Sequence, residues 1–436
     1  MKYSFSHKSC KSKCLEGNLT VPADKSISIR ALILASYCVG SCKIFNLLES
    51  DDVLNTLKVI KKLGVKIEKK KKYYLIHGNG GYYEEPQTEL YFGNSGTGVR
   101  LLTGLLSSNN LNATLTGDSS LSSRPMLRII KPLEKMNLIF EHNNGFLPIK
   151  IKKNNNYTLP CNYKLTSGSA QVKSAILLAS LGAAGKTTIL EKIGSRDHTE
   201  IMLKYLGAKI KVNSEKISLE SPNFLKPKDI HIPGDFSSAS FLIVAGLIIF
   251  QSKIIIKDVG LNYFRIGLID VLIKMDAKIK ITNKRKLNGE DIGDIEVSSS
   301  KLKGVNFTGK ISPRMIDEYP IVFVAASFAS GTSIFKGLGE LKVKESNRLK
   351  VMYETLKLLG VKIKMGDSHI EITGDKNYNC DAKIKTFDDH RIAMSSLVFG
   401  MASNGSVEID DMSMINTSFP NFKKTFEELG AKIKFI

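Results

Sequence analysis

Residues that can bind phosphate or carry protons recur at the predicted starts of apolar helices. Lys25 and Ser26 stand at one such start, and Arg30 follows one helical turn later. Asn94 and Gly96 belong to a glycine-rich approach to a second helix, where small residues let backbone N–H groups come close to a phosphate. This approach lacks the Gly-Lys-Ser/Thr ending of a P-loop and the spacing of a dinucleotide fingerprint. The pattern therefore predicts anion binding without a nucleotide motif.

Other segments place arginine forks and carboxylates just before predicted helices. Arg124 follows a polar stretch at 117–123, and an arginine fork can bind a carboxylate or phosphate through two parallel hydrogen bonds. Carboxylates beside cations occur in Lys344-Glu345-Ser346-Asn347-Arg348 and Asp388-Asp389-His390-Arg391, and an acidic pair occurs in Ile316-Asp317-Glu318. Next to a buried helix, desolvation could tune such a carboxylate as a general base. Taken singly, each of these is more often a surface ion pair.

The elements that must position these residues repeat along the chain. The end of an amphipathic helix, a turn residue and a short strand recur about every 70 residues. The turn residues are Gly64, Asn137, Gly207, Asp276, Gly360 and Gly430. Glycine and asparagine tolerate the left-handed conformation of a helix C-terminus, and aspartate tolerates it less well. The spacing predicts six α/β repeats.

Each repeat also contains a helix that is apolar nearly all round and so must be buried. These helices are predicted at 27–37, 97–106, 170–181, 239–249, 319–328 and 392–401. Their polar starts lie near Ser26, Thr97, Ser169, Ser238, Asp317 and Asp389. Such residues are good N-caps in any helix, but six similar starts predict helix dipoles that face an anion.

Composition is that of an ordinary globular protein. Of its residues, 42% are apolar and 24% are charged. The length of 436 residues is enough for two domains. No apolar run reaches the roughly 20 residues that span a bilayer, and the polar first 19 residues do not resemble a signal peptide. We therefore expect a cytoplasmic protein.

The net charge of +21 is the outlying number. It is compatible with nucleic acid, an anionic membrane surface, small anionic substrates, or an even excess of lysine. Because the lysines are dispersed and form no compact stripe with aromatic residues, specific nucleic-acid binding is a weak interpretation.

The cysteines are interpreted as reduced structural thiols. They are Cys10, Cys14, Cys38, Cys42, Cys161 and Cys380. The two C-x-x-x-C pairs could suggest a metal, but no histidine lies near the second pair in sequence, and a chain of this length needs no disulfide.

Taken together, the motifs resemble those of the 5-enolpyruvylshikimate-3-phosphate (EPSP) synthase family along nearly the whole chain. The resemblance runs through Asp24-Lys25-Ser26, Gly93-Asn94-Ser95-Gly96-Thr97, Arg124-Pro125-Met126, Ser169-Ala170-Gln171-Val172-Lys173-Ser174, Ser195-Arg196-Asp197-His198-Thr199-Glu200, Pro233-Gly234-Asp235, Ile316-Asp317-Glu318, Val343-Lys344-Glu345-Ser346, Asp389-His390-Arg391-Ile392-Ala393-Met394 and Thr417-Ser418-Phe419-Pro420. The Arg-Pro-Met, Ser-Ala-Gln-Val-Lys-Ser and Arg-Asp-His-Thr-Glu motifs are similar to those of the bacterial subgroup often tolerant of glyphosate.

The resemblance implies an α/β fold in the form of a two-domain inside-out α/β barrel. Each domain would contain three βαβαββ units with buried central helices. One domain would span 21–236 and hold the shikimate 3-phosphate side. The other would combine 1–20 with 237–436 and hold the catalytic acidic residues, with the active site in the cleft between them. No cofactor, metal, nucleic acid or membrane is implied, and a monomer is expected.

The resemblance also implies a role for each matching residue. Phosphoenolpyruvate would be held by Lys25, Asn94, Gly96, Arg124, Arg348 and Arg391. Shikimate 3-phosphate would be held by Lys25, Ser26, Arg30, Ser169, Ala170, Gln171, Arg196, Asp317 and Lys344. Asp317 would deprotonate the attacking 5-hydroxyl, Glu345 would protonate the methylene carbon, and Lys25 would be the third catalytic residue.

Five positions depart from the family pattern. Ala23 replaces a usual glycine and Ile29 a usual histidine or asparagine, which should shift the helix start slightly. Asn347 replaces a common aspartate, which should weaken the orientation of Arg348. Thr417-Ser418 stands where some members have Lys-Thr, which removes one phosphate contact.

Three other functions are considered. The related enzyme that transfers enolpyruvyl to UDP-N-acetylglucosamine uses a cysteine in the loop before the Arg-Pro pair, and residues 118–123 contain none. A basic nucleic-acid-binding protein would show a steep salt dependence and no activity. A catalytically silent paralogue is disfavoured because every expected ionisable residue is present.

Overall fold

The computed structural model describes residues 7–154, 156–166, 168–222, 224–375 and 377–435. These residues form two compact domains. The first domain contains residues 23–233 and 286–290. The second domain contains the chain up to residue 22, residues 234–285 and the chain from residue 291 onward.

Helices in the described residues differ in burial: some are buried nearly all round, and others bury one face. In chain order they are α1 (Lys25–Tyr37), α2 (Asp51–Lys62), α3 (Gly96–Ser107), α4 (Ser119–Ser122), α5 (Leu127–Glu134), α6 (Ala170–Ser180), α7 (His198–Tyr205), α8 (Phe236–Ile248), α9 (Gly267–Lys274), α10 (Tyr319–Ser327), α11 (Arg348–Leu358), α12 (His390–Ala402) and α13 (Phe422–Glu428). Short 3₁₀ segments occur at Gly309–Arg314, Gly339–Val343 and Ser413–Thr417. None of the helices among the described residues combines the length and the apolar character needed to cross a membrane.

The strands of the described residues are mostly short. In chain order they are β1 (His7–Cys10), β2 (Glu16–Thr20), β3 (Val39–Phe45), β4 (Ile67–Lys69), β5 (Tyr73–Asn79), β6 (Leu90–Tyr91), β7 (Ala113–Thr116), β8 (Ile139–Asn143), β9 (Phe146–Lys152), β10 (Asn162–Lys164), β11 (Gly185–Leu190), β12 (Ile210–Asn213), β13 (Lys216–Ser221), β14 (Ile230–His231), β15 (Lys253–Gly260), β16 (Lys278–Leu287), β17 (Glu290–Ser298), β18 (Asn306–Phe307), β19 (Gly331–Lys336), β20 (Lys362–Met365), β21 (His369–Gly374), β22 (Asp381–Ile384), β23 (Ser406–Ile409) and β24 (Lys432–Phe435).

These strands form six four-stranded sheets that share one arrangement. In the sheet β14-β3-β5-β4, the edge strand β14 pairs with β3 in parallel, β3 pairs with β5 antiparallel, and β4 closes the other edge. The sheets β6-β7-β9-β8 and β10-β11-β13-β12 repeat this order in the first domain. The sheets β22-β23-β1-β24, β16-β17-β15-β2 and β18-β19-β21-β20 belong to the second domain. The six predicted repeats are therefore confirmed, with three in each domain.

The six predicted turn positions all have a left-handed backbone. Gly64, Gly207, Gly360 and Gly430 have φ between 81° and 97°, while Asn137 and Asp276 have φ of 65° and 64°. A residue other than glycine pays a steric cost there, because its Cβ approaches the neighbouring carbonyl oxygen. The turn at Asp276 adopts the same conformation as the others in spite of its less suitable residue.

The apolar helices form the cores of the two domains. Helices α1, α3 and α6 are buried in the first domain, and α8, α10 and α12 are buried in the second. In five of the six an N-cap side chain accepts a hydrogen bond from the first turn: Asp24 from Ile27, Ser95 from Gly98, Ser169 from Val172, Asp235 from Ser237 and Asp389 from Arg391. These caps turn the polar helix ends, and the functional residues beside them, out of the apolar cores.

The predicted start of α8 is shifted, whereas that of α10 is confirmed. Helix α8 begins at Phe236 rather than near Ser238, because the Asp235 carboxylate accepts the N–H of Ser237 and caps the helix two residues earlier. Helix α10 begins at Tyr319, with Glu318 as its N-cap and no side-chain cap bond, so Asp317 lies before the cap. Asp317 is thereby left with its carboxylate available for other partners.

Candidate active site

Lys25 is the first residue of the buried helix α1. Its Nζ lies 2.9 Å from Oδ2 of Asp52, and both side chains are mostly buried. Asp24 caps the helix by accepting the N–H of Ile27 at 2.8 Å. The ammonium group therefore lies beside the positive end of a helix dipole, and the Asp52 carboxylate offsets part of that repulsion.

Arg30 lies one turn further along α1 and is almost fully buried. Its guanidinium donates to Thr199 Oγ1 at 2.9 Å, to the Ser26 carbonyl at 2.9 Å and to Ser174 Oγ at 3.3 Å. The pKa of Arg30 is lowered to about 10, mainly by burial; the nearby Arg196 contributes to the fall, and the carboxylates of Asp24 and Glu200 oppose it. Arg30 is thus a cation held mainly by neutral groups.

Asn94, Gly96 and Arg124 meet at the start of helix α3. The Arg124 guanidinium donates to the Asn94 side-chain oxygen and, at 3.2 Å, to Ser120 Oγ. A Cβ at Gly96 would lie 3.2 Å from NH1 of Arg124, which is tighter than ordinary contact. The arginine therefore lies directly over the helix start, as a phosphate-binding or carboxylate-binding fork would require.

Gln171, on helix α6, is hydrogen-bonded to two residues of helix α3 in the same domain. Its Oε1 accepts from Arg100 NH1 at 2.6 Å, and its Nε2 donates to Thr97 Oγ1 at 3.1 Å. Ser169 is the N-cap of α6 and Ala170 is its first residue. Arg100 was not among the predicted site residues, although its place on the helix that starts at Gly96 could have indicated it.

Arg348 is the centre of the acidic cluster in the second domain. Its Nε lies 2.8 Å from Asp389 Oδ2, its NH2 lies 2.5 Å from Glu345 Oε2, and its NH1 lies 3.3 Å from Asp317 Oδ1. Burial on its own lowers the pKa of this guanidinium, but the three carboxylates outweigh burial and the pKa is raised. Arg348 holds both predicted catalytic carboxylates in one hydrogen-bonded group.

Lys344 and Arg391 complete this group around Asp317. Lys344 Nζ lies 3.6 Å from Asp317 Oδ1. Arg391 NH1 donates to the Asp317 carbonyl at 2.8 Å and lies 3.6 Å from Glu318 Oε1. The structure therefore brings together all the predicted residues of the second domain.

Asp389 is the main residue of this cluster that the sequence did not assign to the site. It is fully buried, caps α12 through the N–H of Arg391 at 3.0 Å, and accepts from Ser346 Oγ at 3.0 Å. The expectation that Asn347 weakens the orientation of Arg348, compared with an aspartate, stays a prediction. Asn347 caps α11 by accepting the N–H of Lys350 at 3.2 Å, and Asp389 supplies the carboxylate that orients Arg348.

Metal-binding groups are not formed by the part of the chain that the structure describes, since no three of its His, Cys, Asp and Glu residues are arranged to hold an ion. The six cysteines are free thiols. Burial raises the pKa of Cys161 to about 11, so this thiol is poorly reactive at neutral pH.

Comparison with known proteins agrees with the geometry. The family model described as EPSP synthase (3-phosphoshikimate 1-carboxyvinyltransferase) matches residues 10–426. A 3-phosphoshikimate 1-carboxyvinyltransferase of Bartonella quintana is 44% identical over 97% of this chain and 98% of its own length. The protein of the same name from Zymomonas mobilis is 45% identical over 96% of this chain and 95% of its own length.

Solved structures give the same result. The EPSP synthase of Acinetobacter baumannii superposes with a TM-score of 0.89 and 36% identity, and the match covers 99% of this chain and all of that chain. The enolpyruvyl transferase NikO of Streptomyces tendae has a TM-score of 0.79 at 16% identity, which shows the fold alone. The fold is therefore that of the enolpyruvyl transferases.

Within that class, the match over nearly the whole chain decides the family. The chain belongs to the EPSP synthase (3-phosphoshikimate 1-carboxyvinyltransferase) family.

Proposed function

We propose that this protein transfers the enolpyruvyl group of phosphoenolpyruvate to the 5-hydroxyl of shikimate 3-phosphate and releases phosphate, a step of the shikimate pathway. The observation that carries the proposal is the cluster in which Arg348 holds Asp317 and Glu345 together. A base and an acid held beside the same cation suit a reaction that removes one proton and adds another.

The proposed reaction is an addition followed by an elimination. Glu345 gives a proton to the methylene carbon of phosphoenolpyruvate, so that C2 gains oxocarbenium character. The 5-hydroxyl oxygen of shikimate 3-phosphate bonds to C2 while Asp317 takes its proton. The Glu345 carboxylate then takes a proton back from the new methyl group of the tetrahedral adduct, and the C2–O bond to phosphate breaks, so that phosphate leaves as the second product.

Cations are proposed to stabilise the anionic adduct more than the separate substrates. Phosphoenolpyruvate is assigned to Lys25, Asn94, Gly96, Arg124, Arg348 and Arg391. Shikimate 3-phosphate is assigned to Lys25, Ser26, Arg30, Ser169, Ala170, Gln171, Arg196, Asp317 and Lys344. One well-aimed donor of this kind stabilises a developing charge by about 3–4 kcal/mol, by analogy with oxyanion-hole donors.

We also infer a monomer in the cytoplasm that needs no cofactor. All the proposed site residues belong to this one chain. Sedimentation velocity at micromolar concentration tests the monomer, and dialysis against a chelator, which should leave the activity unchanged, tests the independence from a metal.

The deciding experiment measures phosphate release by the purified protein. Release from phosphoenolpyruvate is expected only after shikimate 3-phosphate is added. Release with UDP-N-acetylglucosamine instead would reverse the assignment to the related transferase, which the absence of cysteine from residues 118–123 disfavours. Release with neither acceptor would overturn the proposal.

A further inference from the structure

A buried charged cluster lies within the first domain and has no part in the proposed reaction. We call Lys173, Glu191, Ser195 and Glu200 the Lys173 cluster. Lys173 Nζ lies 2.8 Å from Glu191 Oε2 and 2.7 Å from Glu200 Oε1. The side chains of the three charged residues are 1%, 7% and 3% exposed. They are too buried for the lysine to bind a substrate directly.

The charges of this cluster are tightly coupled. Burial lowers the pKa of Lys173, but Glu200 and Glu191 outweigh it, so the pKa is raised and the lysine stays charged. Burial raises the pKa of Glu200, and Lys173 opposes that rise. Removing the ammonium would leave two buried carboxylates without their shared cation, which is costly in a low-dielectric interior.

The cluster holds the residue that precedes Arg196. Lys173 Nζ donates to the Ser195 carbonyl at 3.1 Å, and Ser195 Oγ donates to Glu191 Oε1 at 2.5 Å. Ser195 is therefore fixed through both its main chain and its side chain. Arg196 follows directly and is only partly buried.

The residues after Arg196 are fixed as well. His198 Nδ1 lies 2.6 Å from Glu290 Oε1, and Thr199 Oγ1 accepts from Arg30. The carboxylate of Glu200, which follows them, forms an ion pair with Lys173. Arg196 thus sits on a short segment whose two ends are both tied to the same buried ammonium group.

We propose that Lys173 is a positioning residue for Arg196, and that it sets the affinity for the phosphate of shikimate 3-phosphate without touching the substrate. The inference rests on the proposed function, because it takes Arg196 to bind that phosphate. Lys173 belongs to the same helix whose first turn carries Ser169, Ala170 and Gln171, so one helix both presents ligands and anchors the neighbouring segment.

Lys173→Met tests this role by steady-state kinetics. The variant should raise the KM for shikimate 3-phosphate by about tenfold to a hundredfold, because a displaced charged group loses its geometry for the substrate. The KM for phosphoenolpyruvate and kcat should stay within about twofold, since a lost contact made equally in ground and transition states changes KM alone. A residue needed only for folding would lower the active fraction and leave both KM values unchanged.

Ser195→Ala keeps the test decisive if Lys173→Met does not fold. It removes only the hydroxyl that Glu191 accepts from, and it should raise the same KM by several-fold. If Lys173 acts through Ser195, the double variant should be less impaired than the product of the two single effects. Fully multiplicative effects, or an unchanged KM for shikimate 3-phosphate in Ser195→Ala, would overturn the proposal.

Arg314→Met is the matched control. Arg314 NH1 lies 2.6 Å from Asp270 Oδ2, so this change also breaks an ion pair, but the pair is in the second domain and outside the proposed site. Both KM values should be unchanged in the control. Turnover of shikimate 3-phosphate by the unchanged protein is measured first, so a failure of the proposed function is distinguished from a failure of the role of Lys173.

Discussion

Arg30 and Arg348 are both buried guanidinium groups, but their surroundings are opposite. Arg348 is hydrogen-bonded to Asp389, Glu345 and Asp317, and its pKa is raised. Arg30 is hydrogen-bonded to two hydroxyls and a carbonyl, and burial lowers its pKa to about 10. The first arginine organises protein carboxylates, whereas the second donates its hydrogen bonds to neutral groups, which suits an incoming anion.

Replacing Arg30 should separate stability from binding. The fall of its pKa from 12.5 to about 10 corresponds to roughly 3 kcal/mol against the charged form in the folded state. Because this form predominates at every pH below about 10, the cost is the same at pH 7 and pH 9. Arg30→Met removes this cost but also three hydrogen bonds of about 1 kcal/mol each, so the two effects nearly cancel and the free energy of unfolding should change little.

The same variant should bind shikimate 3-phosphate at least about a hundredfold more weakly, since a charge-assisted contact in a buried site is lost. Urea unfolding at pH 7 and the KM for shikimate 3-phosphate measure the two effects. A loss of several kcal/mol in stability with an unchanged KM would show that Arg30 is a structural residue.

Asp317 should matter for turnover rather than for binding. Asp317→Asn keeps the size of the side chain but removes the base, so kcat should fall by about 10²- to 10⁴-fold while both KM values change little. Phosphate release gives both quantities. Asp270→Asn is a suitable control because Asp270 also pairs with an arginine, Arg314, and is 43% exposed. An unchanged kcat in Asp317→Asn would show that Asp317 is not the base.

At the scale of elements, the left-handed turn that follows a helix recurs in all six repeats. Gly360 is the cleanest place to measure its cost, since φ is +81° and an added Cβ would meet nothing within 4 Å. Gly339 also has open space for a Cβ, but its φ is outside the left-handed region. The two glycines differ in backbone conformation alone.

Gly360→Ala should therefore destabilise the protein by about 1–2 kcal/mol, the cost of a left-handed residue with a side chain. Gly339→Ala should be neutral or stabilising by up to about 1 kcal/mol, because alanine restricts the unfolded chain. Urea unfolding of both variants gives the comparison. Equal effects would mean that the turn conformation is not what selects glycine.

The sequence predicted these elements well because they depend on local signals. Helical segments that are apolar nearly all round identified the buried helices, and the turn residues Gly64 and Asn137 identified helix ends by their tolerance of positive φ. The start of α8 was placed too late because the apolar pattern does not show that Asp235 accepts the hydrogen bond that caps the helix. The hydrogen bonds of Arg348 depend on residues up to 41 positions away, so spacing alone could not indicate that it is enclosed by carboxylates.

At the scale of the whole molecule, substrate binding should stabilise the fold. Shikimate 3-phosphate at about 100 times its Kd adds roughly 2.7 kcal/mol to the folded state. For a domain of about 200 residues this corresponds to a rise in Tm of about 5–10 °C. Differential scanning fluorimetry measures it, with unphosphorylated shikimate at the same concentration as the control. Because Arg196 is taken to bind the phosphate, equal shifts for both compounds would contradict that assignment.

Some features of the whole molecule could not be predicted from local patterns. Residues 286–290, at the turn between β16 and β17, group with the first domain although the rest of both strands belongs to the second. Asn288 there donates to the His231 carbonyl at 2.6 Å. This pairing joins segments far apart in sequence, and neither residue type is distinctive on its own.

The place of β1 has a consequence for how the protein is made. This strand is the third of four in its sheet, between β23 and β24, so the segment nearest the start of the chain pairs with two segments near its end. Ser12, just after it, accepts a hydrogen bond from Lys432, 420 residues later. At ribosomal speeds of up to about 20 residues per second, β1 waits some 20 s for these neighbours. The domain of residues 23–233 can mature on the nascent chain during that interval, whereas the other domain can close this sheet only after β23 and β24 have been synthesised.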